Sequence, residues 1–178
     1  AMGGNVSATF ATESFSVSYT GATAESDNYK AGRDFKTSPV TGREGHSLPL
    51  DEVGSTAYKS RNHELGIAFK GGAHLVEAKV GYQEIPYQLW PNQRMDMTSN
   101  ENRLANLRYA GQFDWGTLDL RVFDQDTRHA MDMGDDRFFY GFGMPMDSES
   151  TNRGAHSKAS IELSERHTLG VGGEYLTY

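Results

Sequence analysis

The chain has 178 residues, a net charge of −7, 37% hydrophobic residues, 20 glycines and no cysteine, which suits a single domain over 1–178. Without cysteine there are no disulfides, thiolate metal sites or cysteine nucleophiles, and the acidic balance excludes a general nucleic-acid surface, which needs a basic stripe. No run approaches the roughly 18 apolar residues of a membrane helix, and "AMG" at residues 1–3 reads as a cloning remnant, which is compatible with removal of a natural export signal.

Period-two alternation dominates from the start. "SFSVSYTG" sets Phe15, Val17 and Tyr19 against serines, and "ELGIAFK" sets Leu65, Ile67 and Phe69 against Glu64, Gly66, Ala68 and Lys70. "HLVEAKVGYQE" opposes Val76, Ala78, Val80 and Tyr82 to Glu77, Lys79 and Gln83. In "RLANLRYAGQFDWG" the odd positions run Ala105, Leu107, Tyr109, Gly111, Phe113 and Trp115, against Asn106, Arg108, Gln112 and Asp114. "KASIEL" repeats the split with Ala159, Ile161 and Leu163. Such alternation predicts strands, and no helix-period segment competes with it. Eight strands are expected, near 4–11, 14–27, 55–70, 73–86, 101–114, 117–130, 154–164 and 168–178. Short turns are expected at Thr12-Glu13, Gly71-Gly72, Trp115-Gly116 and Glu165-Arg166-His167, the glycine pair supplying positive φ. Long connections at 28–54, 87–100 and 131–153 all fall at the other end of the sheet.

An antiparallel sheet with one apolar face fits a soluble β-barrel that binds a small apolar ligand, or an outer-membrane barrel whose apolar face meets lipid. Small residues beside aromatics, tyrosine and tryptophan near strand ends, and a heavily charged opposite face favour the membrane. So do short turns at one end and long loops at the other. The fold expected is an all-β, antiparallel, up-and-down transmembrane β-barrel of about eight strands. Its surroundings would be the lipid of a bacterial outer membrane. Arg108, Arg121 and Glu162 are expected to form ion pairs on the lumen wall.

Six of the seven methionines stand in three M-x-M pairs: "RMDMT", "RHAMDMGDD" and "GMPMD". Thioethers are soft ligands suited to Cu(I), and imidazole suits copper in either state. His129 and Met131, two apart on a strand, share a face. Met133 continues that row, Met95 and Met97 fall in the preceding long loop, and Met144 and Met146 fall in the loop after His129. These seven residues are the candidate metal ligands, all at the long-loop end. Asp132, Asp135 and Asp136 lack EF-hand spacing and read as solvated loop acids. His63, His74, His156 and His167 read as polar strand or turn residues. No G-x-S-x-G occurs, and His129, Asp147 and Ser150 have no recognisable catalytic order, so no enzyme activity is expected.

The stretch "IPYQLWPNQRMDMTSNENRLANLRYAGQFDWGTLDLRVFDQDTRHAMDMGDD", continuing through "GMPMD" to "LSERHTLGVGGEYLTY", resembles the barrel of TonB-dependent outer-membrane receptors. The likeness is to members associated with uptake of copper or other metals, and it covers about residues 55–178. It implies uptake of a metal or metal complex in the parent, with copper as the candidate, and TonB as the partner that energises transport there. It carries over most directly onto His129 and Met131. The chain departs from the pattern in lacking a plug domain and a TonB box, and in having strands for about a third of a 22-stranded transporter barrel. These departures suggest a piece cut from a larger receptor, with a self-closing eight-stranded structural barrel without transport as the alternative.

Overall fold

The computed structural model describes residues 1–137 and 145–178. Eight strands follow one another: β1 (Met2–Ala11), β2 (Phe15–Ser26), β3 (Tyr58–Gly71), β4 (His74–Gln88), β5 (Asp96–Phe113), β6 (Gly116–Asp132), β7 (Met146–Ser164) and β8 (His167–Thr177). They form one antiparallel sheet in the order β1 to β8, each strand pairing with its neighbours in sequence. β1 and β8 are each hydrogen-bonded along one edge only. The eight-stranded up-and-down architecture expected from the alternation is therefore present, but the chain does not close on itself.

Register separates the two faces, because directly opposed residues project to the same side. One row crosses all eight strands without a polar residue: Phe10, Val17, Ile67, Ala78, Leu107, Val122, Ala155 and Tyr175. The next row, on the other face, carries Glu77, Arg108, Arg121, His156 and Glu174. Arg108 binds across three strands on that face. Its Nε and Nη2 donate to Asp119 Oδ2 at 2.9 and 2.6 Å, and its Nη1 donates to Glu77 Oε2 at 2.9 Å. Arg108 thus has the wall-binding role expected of it, with partners different from those anticipated. Among the described residues Arg121 and Glu162 take part in no ion pair.

The apolar face is uncovered. Leu107 and Val122, at the middle of the sheet, remain 48% and 49% exposed, and the only buried hydrophobic residues among those described are Leu48 and Met97. Tight packing is therefore found at the loop end and not between faces of the sheet. On the apolar face two tyrosines lie along their own strands over a glycine two residues on. Tyr19 covers Gly21 and reaches His63 Nδ1 at 2.8 Å, and Tyr109 covers Gly111 and reaches His74 Nδ1 at 2.8 Å. In both cases the histidine stands directly opposite the glycine. The missing side chain opens a seat for the ring, and the phenol satisfies a histidine that an apolar face would otherwise leave without a partner. Phe113 and Trp115 stack beside the β5–β6 turn, ring centroids 5.1 Å apart.

Several boundaries differ from expectation. The β3–β4 turn is Gly72-Ala73, and Gly72 alone has positive φ (58°), Gly71 being the last residue of β3. The β5–β6 turn is Asp114-Trp115, with Gly116 at φ 135° opening β6. At the opposite end β5 starts at Asp96, β6 runs to Asp132 and β7 starts at Met146, so these strands reach well into the stretches expected to be loop. The physical reason is that both faces turn polar beyond the apolar band. Hydrogen-bonded strand continues there without any apolar alternation to betray it.

Candidate metal site at the loop end of the sheet

The strand extensions change where the methionines stand. Met97 is the second residue of β5, Met131 the penultimate residue of β6, and Met146 the first of β7. Met131 is directly opposite Met97 on one side and Met146 on the other. One member of each M-x-M pair thus enters a single row across three adjacent strands, on the face that carries Arg108. Directly opposed Cβ atoms lie about 4.5–5.5 Å apart, within the reach of flexible thioethers. A register shift decides this row. Ser99 pairs with Ala130 and Met97 with Met131, so Thr98 is the extra residue of a bulge. Without it, Thr98 would oppose Met131 and Met97 would face the other side.

His129 lies on the same face as Met131, two residues earlier, opposite Asn100 and Ser148. Its Nδ1 is 3.1 Å from Asn100 Oδ1. An amide oxygen only accepts, so in the neutral tautomer that makes this hydrogen bond Nδ1 would donate to Asn100 and Nε2 would be left to bind a metal. Asn100 was not among the candidates, and a lone asparagine in a polar strand carries no motif. Met97 is 5% exposed, whereas Met146 is 42% exposed, so the row runs from a covered end to an open one.

The remaining candidates are not brought into the row. Met95 precedes β5 and is half-buried, and Met133 follows β6, its N–H donating to Asp132 Oδ1. Met144 lies outside the described residues. Met95 and Met133 are therefore neighbours of the row in sequence, not members of it. The expected placing of Met97 and Met146 in loops is corrected: both are strand residues. Among the described residues no three His, Asp or Glu side chains converge on a common point, so no hard-cation cluster competes with the thioethers. Asp147 pairs with Ala130 and projects to the opposite face from His129, which separates the imagined trio of His129, Asp147 and Ser150.

Beside the row, three loops are locked together. Asp96 is fully buried. Arg137 grips it bidentately, Nε to Oδ2 at 2.8 Å and Nη2 to Oδ1 at 2.6 Å. Ser55 Oγ donates to Asp96 Oδ2 at 3.0 Å and the Trp90 N–H donates to Oδ1 at 2.9 Å. Arg137 also donates to the carbonyls of Trp90 and Gln93. Asp136 accepts from Asn28 Nδ2 at 2.7 Å and from the Ser55 N–H at 2.9 Å. Asn28 Oδ1 in turn accepts from the amides of Thr56 and Ala57. Ser55, the one non-glycine residue with positive φ among those described, touches both acids and is held in that conformation by them. Of the three loop aspartates expected to be solvated, Asp136 is instead a linchpin with a 10% exposed side chain. Asp135 pairs with Arg43 at the surface.

No family model matches the chain, and no curated protein matches it in sequence. Its fold is similar to that of a solved structure described as "Copper transporter OprC", with a TM-score of 0.71 and 19% sequence identity over 96% of the chain. The chain spans 25% of that structure's length. At that coverage the likeness takes in most of the first fifty residues, where the sequence carries no distinctive motif.

Proposed function

We propose that the chain is the transmembrane wall of an outer-membrane receptor barrel that takes up a soft metal ion, copper foremost, and that His129 and Met131 hold the ion. The observation that carries this reading is the in-register row Met97–Met131–Met146 beside His129. Three thioethers and one imidazole form a donor set suited to Cu(I), and thioethers disfavour the oxygen-seeking cations by ligand type. The uncovered apolar row, spanning all eight strands, supports lipid contact, since a soluble barrel would bury it. The similar solved structure is described as a copper transporter, which agrees with the donor chemistry. Energised uptake in the parent would need TonB, as the sequence resemblance implies. The ion is cargo, so its ligands must also release it. The row's gradient from covered Met97 to exposed Met146 suits a hand-over along successive thioethers.

Titration of the detergent-solubilised chain with Ag(I), a redox-inert analogue of Cu(I), tests the site. We expect one ion bound per chain, with His129→Ala together with Met131→Ala weakening binding at least about 100-fold. Asn100→Ala, which frees the imidazole tautomer, should weaken it about 10-fold. Silver binding of equal strength in all three proteins would remove the site.

A further inference from the structure

The rung that joins Met97 to Met131 has little to hold it from within the sheet. Toward the apolar band the bulge at Thr98 interrupts the β5–β6 ladder, and beyond the rung one further pair remains, Asp96 opposite Asp132. On its other side Met97 pairs with Gln88, the last residue of β4, and no pair stands between that rung and Ile85–Asn100. Like charges placed directly opposite each other are destabilising. Left to themselves, the two aspartates would splay the strand ends and carry Met97 away from Met131. Among the described residues Asp132 is met by one neutral donor, the Met133 N–H. The last rung is held instead by Arg137, whose fork on Asp96 offsets one of the two charges. Gly134 lies so close to the Asp96 carboxylate that a methyl group there would run into it. Asp96 is thus enclosed by the start of the β6–β7 loop and, through the Ser55 hydroxyl, by the β2–β3 loop. Asp96 and Asp132 each adjoin a thioether in sequence, so they project to the opposite face from the methionine row. Arg137 therefore acts on the row from behind and is not a ligand.

We propose that Asp96 and Arg137 are positioning residues of the metal site: their ion pair closes the last rung of β5 on β6 and keeps Met97 beside Met131 on the other face. The inference rests on the soft-metal reading above and adds a regulating link to it. Ser55 donates its hydroxyl to Asp96 and its N–H to Asp136, so the β2–β3 loop is fastened to the same carboxylate. Coupling between two sites is reciprocal. An ion that joins Met97 to Met131 therefore tightens the rung, the ion pair and the loop together.

Ag(I) titration of the detergent-solubilised chain, combined with X-ray absorption at the silver edge, tests the role. The parent chain should show the three sulfur neighbours of the row. Arg137→Leu should lose one of them and bind silver about tenfold more weakly, the scale for groups that orient a metal ligand. Met97→Ala should weaken binding by about the same factor in the parent and by nothing further in Arg137→Leu. Met146→Ala should have its full effect on either background. A general loss of structure would not single out Met97 in this way. Asp96→Asn combined with Arg137→Leu removes the opposed charges and should recover most of the lost affinity. Silver should also slow proteolysis within residues 28–57 of the parent, and not of Met97→Ala. Multiplying effects of Arg137→Leu and Met97→Ala overturn the proposal, as does a full sulfur count in Arg137→Leu. A parent chain that binds no silver overturns the metal reading and the positioning role together. Silver held as tightly by Arg137→Leu as by the parent overturns the positioning role alone. Arg137→Lys, which keeps the charge without the fork, takes the place of the leucine variant if that variant loses its strand signal in circular dichroism.

Discussion

Replacing Arg137 with leucine is expected to destabilise the loop end by about 3–5 kcal/mol, the scale for removing one partner of a buried ion pair. Asp96 has no exposed surface, and Arg137 supplies both of its charged contacts. The remaining partners, the Ser55 hydroxyl and the Trp90 amide, are neutral donors that do not offset a desolvated charge. Because Arg137 also bonds the carbonyls of Trp90 and Gln93, the loss spreads to the β4–β5 connection. The expected result is faster proteolysis within residues 28–57 and faster hydrogen exchange at the Ser55 and Trp90 amides, with exchange in the middle of β5 and β6 unchanged. Asp96→Asn keeps the shape and loses the charge, so its effect should be smaller and of the same pattern. Unchanged cleavage of the loop in the leucine variant would show that the lock does not hold the loops.

Gly116→Ala should be among the most damaging glycine substitutions in the chain, well beyond Gly72→Ala, although both glycines have positive φ. At Gly72, φ is 58° and a methyl group would meet nothing within 4 Å, so the cost is the left-handed conformation alone, about 1–2 kcal/mol. At Gly116, φ is 135° and the methyl group would run into the backbone carbonyl of Ser160 on β7. Strain of the order of 1–3 kcal/mol at such a φ is then joined by forced separation of β6 from β7 at their first paired residues, Gly116 and Ile161. The midpoints of denaturant unfolding for the two variants, compared with the parent chain, test this. Equal shifts would sink the argument from the Ser160 carbonyl.

Where sequence reading succeeded, it did so for a physical reason. Inside the apolar band the side-chain period of two coincides with a contrast in polarity, so β1 through β8 could be located and one face identified as apolar. Beyond the band that contrast vanishes. The first residues of β5 and β7 and the end of β6 carry Asp, Asn, Ser, Thr and Arg on both faces, and nothing local distinguishes them from loop. The same blindness placed Met97 and Met146 outside the strands. The motif "RMDMT" was noticed for its thioethers, but the residue between them, Asp96, proved to be the anchor of the loop lock. Its partner Arg137 lies 41 residues away, at a separation where charge alone points to no particular mate.

The chain's own alternation determined that it would be an antiparallel sheet with one apolar and one charged face, because each strand writes its orientation into every second residue. The residue types likewise set the expectation of a soft metal, since three M-x-M pairs and a histidine were legible without a fold. Which methionines stand together was decided only by tertiary structure. The one-residue bulge at Thr98 sets Met97 opposite Met131, and the register of β6 on β7 adds Met146. A shift of one position on either side would have sent a thioether to the opposite face. Register is a relation between strands, fixed by turns, bulges and cross-strand contacts together, and no single stretch of sequence contains it.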